Sequence, residues 1–149
     1  MLHISRHYLG DTAQFTPRVP VSQNEVEVSL APRVCAASDI EKCWKSISGC
    51  VDLFKAMKKN NTNGYYFFVY EFENKEAFTE NTIVLDFNET KEHVSFMPVS
   101  ARIVSAFYVD SYRLFSPAQS AMENASIEEA KSAYYEWQKQ DMINIENSL

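Results

Sequence analysis

The stretch GYYFFVYEF, residues 64–72, does most to limit what this chain can fold into. Every position except Gly64 and Glu71 is aromatic or aliphatic, the residue types that favour strands. A run without polar alternation marks a strand buried on both faces, so these residues are expected at the centre of a sheet. TIVLDF (82–87) and the long SARIVSAFYVDSYRLF (100–115) supply two or three further strands. LHIS, residues 2–5, suits a short first strand with Leu2 and Ile4 on one face and His3 and Ser5 on the other. EVEVSLAPRVCAAS (25–38) alternates at Val26, Val28 and Leu30, stops at Pro32 and resumes at Val34 and Cys35. Gly10, Pro17 and Pro20 break the pattern before it, so residues 10–24 are expected to be extended and loop-rich.

Two helices punctuate these strands. SDIEKCWKSISGCVDLFKAMKKN (38–60) opens with a capping box, Ser38 with Glu41, whose side chains can satisfy the free amides of a first turn. Ile40, Cys43, Trp44, Ile47, Val51, Phe54 and Met57 then recur at helical spacing, and Cys50 joins their stripe. Ser126 with Glu129 is a second capping box, opening a helix to about Asn144 with Ile127, Ala130, Ala133, Tyr134 and Trp137 on one side. The order predicts an α+β fold: a mainly antiparallel sheet, one long helix after the second strand, and a C-terminal helix. Residues 1–116 are expected to form a single α+β domain, with 117–149 as a C-terminal helical extension packed on it.

Composition narrows the function classes. The chain has 149 residues and a formal charge of −6, and its one short basic run is KAMKKN. Binding to extended nucleic acid needs clustered Lys and Arg to displace counterions, so it is not expected; a single nucleotide held by two or three arginines remains open. No apolar run approaches the ~20 residues of a membrane span, and the start lacks the apolar core of a signal peptide, so a cytoplasmic protein away from membranes is expected. Cys35, Cys43 and Cys50 are odd in number and form no CxxC or Cys/His cluster, which predicts reduced core thiols and no metal site. Glycine-rich phosphate loops, HExxH and GxSxG are absent from the sequence. A cysteine nucleophile would need a histidine in space, and Cys35 with His3 is the conceivable pair.

Two arginines stand out on local grounds. Arg18 in TPRVPVS and Arg33 in APRVCAAS each follow a proline, which restrains the backbone that carries the guanidinium. A planar fork held in this way suits a phosphate or carboxylate, so near His3 the two would serve a pyrophosphate or another anionic small molecule.

The ordered pieces LHIS, FTPRVP, VCAASDIEKCW and YYFFVYEFE resemble the small ADP-ribosyltransferases, in particular the rifamycin-modifying branch of the diphtheria-toxin-like class. The resemblance spans about residues 2–110 and leaves the C-terminal helix outside. It implies an ADP-ribosyltransferase-like fold and an NAD-dependent activity, either transfer of ADP-ribose to a target or hydrolysis of NAD. It would place His3 against a ribose hydroxyl of NAD and Ser5 beside it on the adenosine side. The class stacks an aromatic of its second strand on nicotinamide; the matching Arg33-Val34-Cys35 has none, and Tyr65 or Tyr70 would have to supply one. The class also needs a carboxylate near the nicotinamide ribose, where positive charge builds as nicotinamide leaves, and Glu71, Asp86 and Glu89 are the candidates. The chain is similar as well to uncharacterised bacterial and phage proteins sharing HIS, TPR[IV]P and RVC stretches. The competing reading is a catalytically degenerate module of phage or mobile-element type that holds a nucleotide or a protein and inhibits a host factor. A third is an interaction domain working through its C-terminal helix.

Overall fold

The computed structural model describes residues 1–19, 32–48, 63–82, 91–110, 112–113 and 116–148, with positions 55 and 58 besides. The expected strand over Val26–Leu30, the later part of the first predicted helix with Cys50, Val51, Phe54 and Met57, and all of TIVLDF except Thr82 lie outside the described residues. So do Asp86 and Glu89.

The fold is α+β, with antiparallel sheets and a C-terminal helix. GYYFFVYEF forms β4 (Gly64–Phe72), flanked by β1 (Leu2–Ser5) and β7 (Val99–Asp110). β2 (Thr12–Phe15) pairs the far side of β7, so the main path runs β1-β4-β7-β2. β3 (Val34–Ala36), β6 (His93–Ser95) and β5 (Thr79–Glu80) make a smaller sheet. A two-bond bridge between Leu2 and Ala37 ties it to the edge of β1. Within the long segment over residues 100–115, the described residues hold one strand of 12 residues, β7, which begins at Val99.

β2 is the main departure from expectation. It lies within residues 10–24, so among the described residues three strands precede the first helix. Gly10, at φ 102, turns the chain, and Ala13 and Phe15 then pack inward from a short edge strand. Four residues between a glycine and a proline are too few to show a strand period, which is why the breakers dominate the sequence.

α1 (Ile40–Ser48) is capped by Asp39, not by Ser38. The Lys42 amide donates to Asp39 Oδ1 at 2.9 Å, and Cys43 N–H donates to the Asp39 carbonyl at 3.1 Å. A carboxylate one residue before the helix both caps and answers the positive end of its dipole. α2 (Ala118–Ala121), β8 (Glu123–Ala125, paired with β7) and α3 (Ile127–Ser148) complete the chain. Ser126 caps α3 as its sequence predicts, accepting from Glu129 N–H at 3.0 Å. The Glu129 carboxylate does not close the box; it accepts from the Tyr66 hydroxyl at 2.8 Å.

Both faces of β4 are buried. On one, Phe67 and Val69 meet Phe107 and Val109 under α1 and α2, with Trp44 at the centre. On the other, Phe68, Tyr70 and Phe72 meet Val99, Ala101 and Ala106, partly covered by Ala130, Ile127 and Tyr134 of α3. A bulge makes this division possible. Val69 pairs Ser105 and Tyr70 pairs Ile103, so Val104 is the extra residue. Beyond it the alternation of β7 is inverted, which sends Phe107 and Val109 to the Trp44 side. Residues 118–130 contribute to both cores. Among the described residues, no helix is long and apolar enough to cross a membrane.

Candidate functional site

An open cleft of about 600 Å³ lies on the Tyr70 face of the main sheet, and His3, Ser5, Arg18 and Arg33 all line it. Alternation along β1 puts His3 and Ser5 on this face while Leu2 and Ile4 enter the opposite core. His7 follows the same parity and lines the rim, where its ring meets Tyr134 and Trp137 of α3. Phe15 reaches across from β2 over Tyr70 and Phe72, and its ring stands edge-on to His3 at 5.0 Å between centroids. Below, the Tyr70 hydroxyl accepts from Leu9 N–H and donates to the Gly10 carbonyl, each at 2.8 Å, which anchors the loop that walls the cleft.

Arg18 and Arg33 are joined backbone to backbone. Arg33 N–H donates to the Arg18 carbonyl at 2.9 Å, and Arg18 N–H to the Arg33 carbonyl at 3.1 Å. Residues that exchange both bonds in an antiparallel bridge stand directly opposite and send their side chains to the same face. The bridge therefore sends both arginine side chains to one face, Arg33 buried and Arg18 exposed. Like charges directly opposite each other repel, and Arg33 also acts on the Cys35 thiol, which Glu92 faces.

His3 Nδ1 lies 3.3 Å from the Cys35 carbonyl oxygen. A carbonyl only accepts, so Nδ1 carries the proton and Nε2 is the acceptor in the neutral ring. Burial foremost lowers the His3 pKa from its ordinary 6.5; the bond to the Cys35 carbonyl opposes this and the Arg18 charge adds to it. The consequence for stability has a definite sign. Below about pH 6.5 the unfolded chain takes up a proton that the folded chain refuses, so the stability present at neutral pH falls as pH drops toward the folded pKa. Denaturation midpoints measured between about pH 7 and about pH 5 should fall less steeply in His3→Asn, whose amide can still donate to the Cys35 carbonyl. His7, lowered by burial and by Arg6, acts in the same direction and keeps part of the slope in that variant. An unchanged slope in His3→Asn would show that His3 has the same proton affinity folded and unfolded.

Neither described cysteine, Cys35 or Cys43, is held as a thiolate. Burial, with Glu92 beside it, pushes the Cys35 thiol up to about 12 against the pull of Arg33. Burial likewise pushes Cys43 up to about 12. His3 bonds the backbone of Cys35 rather than its sulfur, so the Cys35–His3 pair lacks the contact that a thiol nucleophile requires.

Two site expectations fall elsewhere. Glu71 stands opposite Leu2 and pairs with Arg102 at 3.1 Å on the other face of the sheet from His3. Being next to Tyr70 in a strand inverts its direction. Tyr65 also departs to that face, where it is buried in the Trp44 core with the Arg6 guanidinium 5.0 Å from its ring centre. Val34, where an aromatic would stack in the resembled class, is buried in the core. Sequence reasoning missed His7, Gln14, Phe15 and Glu92. His7 was legible from the 3-5-7 alternation, whereas Glu92 was not. It lines a smaller hollow of about 130 Å³ with His3 and Cys35, held by a bond from Asn81 Nδ2 at 3.1 Å. Among the described residues, no group of three His, Cys, Asp or Glu side chains could hold a metal ion. Compared with known protein families, with curated proteins and with solved structures, the chain finds no match.

Proposed function

We propose that the cleft binds an anionic dinucleotide of the NAD kind, with the pyrophosphate on Arg18 and Arg33 and a ribose hydroxyl on His3. The observation that carries this reading is the backbone bridge that puts Arg18 and Arg33 opposite each other, both lining the cleft that His3 lines. An anion held by both gains charge-assisted, forked hydrogen bonds. The volume is within the range of small-molecule sites, and Phe15, Leu9 and Val34 give it apolar wall. Neutral His3 offers Nε2 to a ribose hydroxyl, and Ser5 stands on the same wall.

Holding the dinucleotide is better supported than transferring its ADP-ribose. Transfer or hydrolysis needs a carboxylate beside the departing nicotinamide. Among the described residues, Glu71 faces away and Glu92 lies in the smaller hollow beside Cys35; Asp86 and Glu89 lie outside the described residues. The second reading is therefore a catalytically degenerate nucleotide-binding module that acts on a protein target, favoured by the burial of Val34 where the resembled class stacks an aromatic. Calorimetric titration of NAD and of ADP-ribose separates the possibilities. The proposal expects saturable heat with both ligands and binding up to about tenfold weaker in His3→Ala. Nicotinamide release from bound NAD would identify the enzyme, and stable binding without release the module. Absence of heat with either ligand would sink the dinucleotide reading.

A further inference from the structure

A second hollow, about 420 Å³ in volume, opens between the far end of the main sheet and α3. Tyr65, Tyr66, Tyr108 and Trp137 line it, with Gly64 and Ala133 among the small residues that leave the space. We propose that it is a binding site for a quaternary or methylated ammonium group. This rests on no property of the arginine cleft.

The walls are π-systems held in place by the fold. Tyr66 and Tyr108 are directly opposed across β4 and β7, with ring centroids 4.9 Å apart. Tyr108 lies so close to Gly64 that a Cβ there would strike its ring and the Val109 carbonyl, so the glycine fixes where that ring rests. Trp137 is braced by Tyr134 and by the edge of Tyr65. The faces of such rings carry negative potential and attract cations. Tyr65 already displays this preference, since the Arg6 guanidinium lies over its ring.

Among the described residues, carboxylates outnumber guanidinium groups around it, with Arg6 over Tyr65 on the positive side. Glu129 accepts from the Tyr66 hydroxyl at the border of the hollow. Asp110 and Glu123 lie near Tyr108, and Arg113 pairs with both of them. Among the described residues, no Lys or Arg lines the hollow. Tyr66 is held protonated, its pKa raised first by the bond to Glu129, and remains a donor rather than an anion.

The absence of a carboxylate fork decides the class of cation. A guanidinium brings five donors and a primary ammonium three, each needing an acceptor once desolvated. Among the described residues, the Glu129 carboxylate already takes a bond from Tyr66, and Asp110 and Glu123 are both engaged by Arg113. A quaternary ammonium has no N–H donors, is weakly hydrated, and draws its stabilisation from ring faces and diffuse negative potential.

Choline chloride titrated into the full chain tests this by tryptophan fluorescence. The chain has two tryptophans, and Trp44 is 1% exposed in the opposite core, so Trp137 is the reporter. The expected result is a saturable change with choline and one at least about tenfold weaker with dimethylbutanol, in which carbon replaces the charged nitrogen. Glu129→Gln, which keeps an acceptor for Tyr66, should weaken choline binding while leaving the circular dichroism spectrum unchanged. Equal response to choline and dimethylbutanol would show an apolar hollow without cation selectivity and overturn the proposal. No saturable change in the unmodified chain would overturn it as well.

Discussion

Replacing Trp44 by alanine is expected to lower the unfolding free energy by about 3–5 kcal/mol. Domains of this size are stable by only about 5–15 kcal/mol, so the variant loses about a fifth or more of its margin. The indole is 1% exposed and stands edge-on to Phe67 and Phe107 at 5.8 and 6.1 Å between centroids. Phe67 and Phe107 are themselves stacked at 5.2 Å, so removing the indole opens a cavity against two rings that cannot collapse into it. The indole N–H also donates to the Ser116 carbonyl at 3.0 Å, linking α1 to the start of α2. Trp44→Phe separates the two contributions, keeping most of the apolar area and losing about 1 kcal/mol for the hydrogen bond. Denaturant unfolding monitored by circular dichroism measures both variants. A loss under about 1 kcal/mol in Trp44→Ala would mean that this core does not hold α1 against the sheet.

Arg18→Ala should move binding and stability in opposite directions. The side chain is exposed and its backbone bonds to Arg33 survive truncation, so the fold is not at risk. Without ligand, removing the exposed one of two like charges carried on opposed residues should raise stability by up to about 1 kcal/mol. With ligand, losing a charge-assisted bond worth about 1.5–3 kcal/mol should weaken ADP-ribose about 10–100-fold. Arg18→Lys keeps the charge but not the fork, and should recover only part of that affinity. Raising the salt concentration should weaken the unmodified chain more than Arg18→Ala, because the variant makes one ionic contact fewer. Thermal unfolding and calorimetry on the same samples read both effects. Unchanged affinity would remove Arg18 from the site, and unchanged stability would mean that solvent already screens the pair.

Part of the site was legible because a strand has a period of two. Leu2 and Ile4 are apolar and His3 and Ser5 are not, and that suffices to put His3 on a different face from the core that Ile4 enters. The two proline-arginine stretches could be seen, but their adjacency could not. Fifteen residues separate them in sequence, and the bonds that join them form between loops with no periodicity of their own. Glu71 misleads for the same reason that His3 informs, since one step along a strand reverses a side chain.

The sequence by itself determined the central strand, the start of the first helix with Cys43 and Trp44 inward, the capped C-terminal helix and the faces of β1, because local periodicity and capping encode these. Only the tertiary structure decided the rest. The bulge at Val104 inverts the second half of β7, and no alternation in that segment announces where an extra residue will be tolerated. β2 is a strand because β7 offers it an edge, and Tyr65 is core rather than cleft because α1 and α2 cover its face. The cleft itself joins β1 to β2, opposite edges of one sheet, through the reach of Phe15. Contacts of that kind depend on how the sheet curls, and the free energy that curls it comes from residues distant in sequence.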